Sequence, residues 1–155
     1  MTNKNLLIVG HVPSENTRRL RDAVERGAKH KDISGIDICT LSPFDAGPDD
    51  VLRADAIILG TTENLGYMSG ALKDFFDRTY FGVLEEKQGL PYALYVRAGL
   101  DGTGTLRGVK TIVTGLKWKA VAEPVLCKGD WHDDFVHDAE ALGTLMAAGL
   151  ESGIF

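Results

Sequence analysis

The sequence predicts a three-layer, doubly wound α/β sandwich on a five-stranded parallel sheet with strand order 2-1-3-4-5. Short continuous apolar runs alternate along the chain with stretches of helical periodicity. The strand–helix unit repeats five times, a pattern typical of a parallel sheet covered by helices on both faces. Five units are too few for an eight-fold barrel. We therefore expect one domain over residues 1–155.

The predicted elements follow one another in regular order. The predicted strands are residues 6–10, 35–41, 56–60, 92–98 and 120–127. Helical spacing of apolar residues follows each of them, and the segment 43–50 is a Pro/Gly/Asp loop that leads into a short helix. Residues 11–16 and 61–68 are predicted loops, and Ser69 is the expected N-cap of the third long helix.

Composition excludes several classes of protein. The net charge of -5 argues against a nucleic-acid binder, which needs a basic stripe. The longest apolar runs have strand length, and the amino terminus has no signal-peptide pattern, so we expect no membrane span and a cytoplasmic protein. Cys39 and Cys127 lie in strands at opposite edges of the predicted sheet, roughly 19 Å apart, which is too far for a disulfide. No cluster of metal ligands is visible, and we expect no metal.

Three unusual loops meet at the carboxyl edge of the predicted sheet, where open α/β sheets bind ligands. The first loop, residues 10–17 (GHVPSENT), joins a buried strand to a helix amino terminus and favours a phosphate. Ser14, Asn16 and Thr17 add side-chain donors there. The loop lacks the nucleoside-triphosphate and dinucleotide fingerprints. The alternative is an ordinary capped turn with Asn16 or Thr17 as the N-cap.

The other two loops suggest a flat ligand. Residues 61–70 (TTENLGYMSG) expose Leu65, Tyr67 and Met68, which suit the wall of an aromatic ring unless they close the core. Residues 98–105 (AGLDGTGT) carry three glycines whose backbone can approach a ring closely and donate to its carbonyls. The alternative for this third loop is a flexible turn at Asp101-Gly102.

The segment GHVPSENTRRL (10–20) resembles the phosphate loop of the flavodoxin-like superfamily of NAD(P)H-dependent FMN reductases and flavodoxins. The segment 54–79 is similar to the tryptophan-repressor-binding-protein type of NAD(P)H:quinone oxidoreductase. Its Gly-x-Met-Ser-Gly-x-(Leu/Met)-Lys-x-Phe-x-Asp-Arg pattern is carried by Gly66, Met68, Ser69, Gly70, Leu72, Lys73, Phe75, Asp77 and Arg78. The resemblance covers nearly the whole chain and implies a flavodoxin-like fold.

The resemblance also implies an FMN site. Ser14, Asn16 and Thr17 would bind the phosphate, and His11 stands in that loop where the family usually has a small residue. The third loop has no aromatic residue to stack on the flavin. The residues that would line the isoalloxazine and face its pyrimidine side are Thr62, Glu63, Asn64, Leu65, Gly66, Gly99, Asp101 and Gly102.

The function implied is transfer of electrons from NAD(P)H, as co-substrate, through FMN to a quinone, a flavin or a similar small-molecule acceptor. The flavin performs the chemistry, so we expect no catalytic side chain. The alternative is a flavodoxin-type electron carrier without its own NAD(P)H site; its strongly acidic surface is missing here. We expect a homodimer or a higher homo-oligomer, as in related enzymes.

Four other residues carry weaker signals. The first helix opens with three arginines, Arg18, Arg19 and Arg21. They form either a basic patch for a phosphate of NADPH or, as we favour, a solvated helix face that pairs with Asp22 and Glu25. Trp131, near the last strand, is expected to cover the core or to contact another subunit.

Overall fold

The computed structural model describes residues 2–155. The strands are β1 (Lys4–Gly10), β2 (Ile36–Leu41), β3 (Ala56–Asn64), β4 (Tyr67–Met68), β5 (Pro91–Ala98), β6 (Lys119–Ala120) and β7 (Val125–Lys128). The helices are α1 (Glu15–Ala28), α2 (Pro48–Arg53), α3 (Gly70–Val83), α4 (Thr103–Gly115) and α5 (Asp134–Ser152). No helix in this part of the chain combines the length and the apolar character needed to cross a membrane.

The predicted order of strands is confirmed. The parallel sheet runs β2-β1-β3-β5, and both β6 and β7 pair with the outer edge of β5. β1 pairs with β2 on one side and with β3 on the other, so the order of strands reverses beside β1. Cys39 lies in β2 and Cys127 in β7, at opposite edges of the sheet as predicted, and both thiols are free.

The prediction of one continuous fifth strand over residues 120–127 is wrong. The strand is interrupted between Ala120 and Val125, and the pieces on either side pair with different halves of β5. Pro124 lies directly before the second piece. Because proline has no backbone N–H, it cannot donate to a strand ladder, and strands interrupt their pairing at such positions.

Two apolar cores lie on opposite faces of the sheet. One core packs β-strand side chains such as Leu59 and Val96 against α2, α3 and α4. The other packs Ile8 and Ile58 against α1 and α5. Residues alternate between these faces along each central strand, which explains why the strands read as continuous apolar runs.

Candidate site at the carboxyl edge of the sheet

The register of the central strands brings the three predicted segments to one edge. Gly10 of β1 lies beside Gly60 of β3, which lies beside Tyr95 of β5. The backbone N–H of His11 then donates to the carbonyl of Gly60 at 3.0 Å, so the first segment leaves β1 tied to β3. β1 therefore ends level with Gly60 and Tyr95, while β3 and β5 run on to Asn64 and Ala98, and the three predicted segments leave the same edge of the sheet.

The N-cap of α1 is Ser14, and the prediction of Asn16 or Thr17 is wrong. The Ser14 hydroxyl accepts from the Thr17 N–H at 3.2 Å, and the Thr17 hydroxyl accepts from the Ser14 N–H at 3.0 Å. This reciprocal pair is a capping box in which threonine takes the place of the usual Glu or Gln. Because Thr17 is buried and bonded to Ser14, both hydroxyls serve the turn itself.

Free backbone donors remain at this turn. Within residues 2–155 the amides of Val12, Glu15 and Asn16 have no hydrogen-bond acceptor. They lie at the amino terminus of a 14-residue helix, where the helix dipole adds partial positive charge. Such a group of donors suits an anion, and a phosphate in particular.

Two buried polar atoms lie near Gly10, the last residue of β1, on the face of the sheet that α1 and α5 cover. A Cβ on Gly10 would come within 2.5 Å of the Tyr95 hydroxyl and within 2.9 Å of the Arg21 side chain. Tyr95 is only 2% exposed, and neither its hydroxyl nor the Arg21 Nε has a partner among the described residues. Burial strongly raises the pKa of Tyr95, so the hydroxyl is a neutral donor. The end of β1 therefore has, on its α1 side, donors that a further polar group would satisfy.

The second segment is a β-hairpin, and the prediction of a loop over residues 61–68 is wrong. β3 continues to Asn64, and β4 returns antiparallel to it, with Glu63 opposite Met68. The turn consists of Leu65 and Gly66, whose φ values are 53° and 78°. Two consecutive positive φ values characterise the type I′ turn that matches the twist of a hairpin.

The base of this hairpin is fixed to the start of α3. The Thr61 hydroxyl accepts from the Ser69 N–H at 2.9 Å, and the two hydroxyls lie 3.0 Å apart. Ser69 in turn accepts from the N–H of Leu72 at 3.1 Å, which confirms Ser69 as the N-cap of α3. Thr61, Ser69 and Leu72 are all buried, so this connection is shielded from water.

Glu63 connects the hairpin to the third segment. One carboxylate oxygen accepts from the Leu100 N–H at 2.8 Å, and the other accepts from the Gly102 N–H at 2.8 Å. Two backbone amides of the third segment are thus hydrogen-bonded to the Glu63 carboxylate. Asp101 forms its own local turn, accepting from the Thr103 N–H at 3.0 Å, and this bond lowers the pKa of Asp101.

The tip of the hairpin lies directly against α4. A Cβ on Gly104 would stand 1.8 Å from the carbonyl oxygen of Gly66, and a Cβ on Gly108 would stand 2.4 Å from the Tyr67 ring. Only glycine allows the two backbones to approach so closely. The hairpin is therefore held from two sides, by Glu63 and by α4.

The structure brings the predicted residues to this one edge but gives them different environments. Thr17 and Gly102 are buried; His11, Asn16, Thr62 and Glu63 are half-buried; Ser14, Asn64, Leu65, Gly66, Gly99 and Asp101 are exposed. The Thr62 hydroxyl donates to the Asn64 side chain at 2.8 Å. Which of these residues contact a ligand stays a prediction.

Apolar side chains that sequence reasoning missed also lie at this edge. Leu100 is 74% exposed in the third segment. Phe44, in the loop after β2, is 62% exposed and its ring meets the edge of the His11 ring at 6.4 Å. Nothing in the sequence places Phe44 beside His11, because the two residues are 33 positions apart. Leu65, which the sequence predicts to be exposed, lies at the hairpin tip of the same edge.

The arginines of α1 pair differently from the prediction. Arg18 contacts Glu15 at 3.6 Å, and Arg19 contacts Asp133, in the segment before α5, at 3.2 Å. The Arg19 guanidinium also lies 5.1 Å from the centre of the Trp131 ring. The expected pairs with Asp22 and Glu25 do not form. Trp131 is half-buried and connects the start of α1 to the segment that follows β7.

Comparison with known proteins supports the fold. No protein-family model matches the chain. A curated flavodoxin from Aquifex aeolicus (strain VF5) is 26% identical over 111 residues, which are 72% of this chain and 59% of that protein. The matched region thus spans about 59% of the relative's length.

Solved structures agree over almost the whole chain. A flavodoxin from the domain Archaea has a TM-score of 0.76 at 19% identity, covering 94% of this chain and 98% of that one. The flavodoxin, WrbA-like protein from Agrobacterium tumefaciens has a TM-score of 0.75 at 20% identity, covering 94% of this chain and 96% of that one. The strand order, the helices on both sheet faces and these similarities together show that the chain has the flavodoxin-like α/β fold.

Proposed function

We propose that this chain binds FMN non-covalently at the carboxyl edge of its sheet and transfers electrons from NAD(P)H through the flavin to a quinone, a flavin or a similar small acceptor. The observation that carries the proposal is the position of the free amides of Val12, Glu15 and Asn16. They lie beside two further segments that are joined to each other through Glu63. A phosphate donor set next to a hairpin wall suits a phosphorylated flat ring.

The residues divide into two groups in this proposal. The three amides and the Asn16 side chain bind the phosphate, while the bonded hydroxyls of Ser14 and Thr17 keep the turn in shape. The hairpin residues 62–66 and the third segment line the ring. Bound FMN would supply the hydride and electron chemistry, and the protein would position it. Glu63 brings a carboxylate to the third segment and accepts from two of its backbone N–H groups, including that of Gly102, so these are bonded within the protein before any ring carbonyl arrives.

A second candidate is an electron carrier without its own nicotinamide site. The similarity to proteins named flavodoxin favours this candidate. The pairing of Arg18 and Arg19 with carboxylates also leaves fewer free charges for a nicotinamide phosphate. The modest net charge of -5 favours the enzyme.

One set of measurements tests both candidates. The purified protein is titrated with FMN, and the complex is then mixed with NADH or NADPH without oxygen. We expect saturable FMN binding and bleaching of the flavin spectrum by one of the nicotinamides, followed by recolouring on addition of a quinone. A complex that neither nicotinamide bleaches would support the carrier. A folded protein without measurable affinity for FMN would refute both.

A further inference from the structure

Glu63 links the hairpin to the third segment through both oxygens of its carboxylate. One oxygen accepts from the Leu100 N–H and the other accepts from the Gly102 N–H, each at 2.8 Å. A backbone N–H has a single hydrogen to donate, so neither amide is free for a further full hydrogen bond. The carboxylate therefore lies between the hairpin and the third segment and uses the donors that face the hairpin there.

The hairpin is the rigid side of this contact. Glu63 pairs with Met68 across the two strands of the hairpin. At its base, the buried hydroxyls of Thr61 and Ser69 lie 3.0 Å apart, and at its tip the backbone packs directly against α4. Opening the space between the two segments therefore requires movement of the third segment or of the Glu63 side chain.

The third segment is the side that can move. Gly99, Leu100 and Asp101 are all exposed, and the Leu100 side chain is 74% exposed. Glycines flank Leu100 and Asp101, and Gly102 has a φ of 71°, a left-handed backbone that glycine adopts without strain. An exposed stretch with few buried contacts opens at a small cost in free energy once its hydrogen bonds are released. In the structure, the bonds to Glu63 hold this stretch against the hairpin.

The proposed ligand needs the same donors. In the proposed FMN site, the ring lies between the hairpin and the third segment, whose backbone N–H groups donate to ring carbonyls. A carboxylate is a stronger acceptor than a neutral carbonyl, so Glu63 competes effectively with the ring for these two amides. The apparent affinity for the ring falls in proportion to the fraction of free protein in which the amides are available.

We propose that Glu63 forms an autoinhibitory contact: its carboxylate occupies the amides of Leu100 and Gly102 and must leave them before the flavin ring binds. This inference rests on the proposed FMN site. The contact stabilises the ring-free protein and lowers its affinity for the ring, but it does not involve the free amides at the start of α1. Removing the carboxylate therefore strengthens ring binding without strengthening phosphate binding.

The test compares dissociation constants for FMN, inorganic phosphate and lumiflavin, which is the ring system without the ribityl phosphate chain. We expect Glu63→Ala to bind lumiflavin and FMN about tenfold more tightly than wild type, because two hydrogen bonds to a charged group no longer compete. The affinity for phosphate should stay the same. Glu63→Asp keeps the charge on a side chain that is one methylene too short to reach both amides, so it should also bind the ring more tightly. Glu85→Ala, which removes an exposed carboxylate after α3, is the matched control and should follow wild type.

A second measurement does not depend on a variant. In wild-type protein, the ¹³C resonance of the Glu63 side-chain carboxylate is followed by NMR while lumiflavin is added. We expect it to move to the position of exposed glutamates such as Glu85, because the ring displaces the carboxylate into water.

Three results would overturn the inference while FMN binding itself stands. The affinity of Glu63→Ala for lumiflavin does not rise, its affinity for phosphate rises by the same factor as that for lumiflavin, or the Glu63 resonance of wild type stays in place when lumiflavin binds. If neither wild type nor any variant binds FMN, the proposed function fails and the inference fails with it.

Discussion

Replacing Gly104 with alanine would place a Cβ 1.8 Å from the carbonyl oxygen of Gly66. Ordinary contacts of carbon lie at roughly 3.5–4.0 Å, so α4 and the hairpin tip must separate by more than an ångström. Both partners are backbone atoms, and the hairpin is also held by Glu63 through the third segment. A side chain cannot rotate away to relieve this contact.

The expected cost follows from two opposing effects. Overpacking of this kind costs about 1–3 kcal/mol. Alanine is favoured over glycine within a helix by up to about 1 kcal/mol, although position 104 lies in the first turn of α4. We therefore expect the free energy of unfolding to fall by about 1–2 kcal/mol, since the steric term is the larger. The displaced hairpin should also weaken FMN binding.

Urea unfolding and FMN titration measure the two effects. The matched control is Gly70→Ala, also in the first turn of a helix, where an added Cβ meets no atom within 4 Å. That variant should be as stable as wild type or slightly more stable, with unchanged FMN affinity. If Gly104→Ala matches Gly70→Ala in both measurements, the hairpin does not depend on its contact with α4.

Two substitutions and one chemical modification test other parts of the molecule. Glu63→Gln replaces the carboxylate that accepts from the N–H groups of Leu100 and Gly102 by an uncharged amide. We expect the free energy of unfolding to fall by about 1 kcal/mol and hydrogen exchange at these two amides to become faster. Unchanged exchange would contradict the role of Glu63 in holding the third segment. Tyr95→Phe removes a buried hydroxyl that has no hydrogen-bond partner among residues 2–155, so the free energy of unfolding in urea should stay equal or rise. A loss above about 1 kcal/mol would show that the hydroxyl is hydrogen-bonded in the native protein. Burial raises the pKa of the Cys127 thiol to about 11, while Cys39 is exposed. A thiol reagent at pH 8 should therefore modify one cysteine in the native protein and two after unfolding. Two rapidly reacting thiols in the native protein would refute the burial of Cys127.

The pattern of residues along the chain was sufficient for the layers and the strand order. Runs such as residues 6–10 and 56–60 need cover on both faces, and the helical segments between them supply it. The same pattern places the ends of β1, β3 and β5 at one edge, because parallel strands end on the same side of a sheet. The Ser69 cap is equally local, since its acceptor and donor are three residues apart.

The local interactions of the polar segments were harder to predict. Residues 61–64 are Thr-Thr-Glu-Asn, without the apolar alternation that predicts a strand, yet they extend β3 because Thr61 and Thr62 pair with Val96 and Arg97 of β5. In α1, the sequence suggested Asn16 or Thr17 as the N-cap, whereas the path of the turn after β1 puts Ser14 in that position.

The sequence by itself determined the sheet, its order of strands and the edge at which the three predicted segments meet, because these follow from apolar periodicity and from the direction of the strands. Only the tertiary structure decided three contacts. Glu63 accepts hydrogen bonds from the third segment, the Phe44 ring contacts the His11 ring, and the backbone of the hairpin tip packs directly against Gly104. Each of these contacts joins residues more than 30 positions apart, and their geometry depends on how the strands and helices pack together.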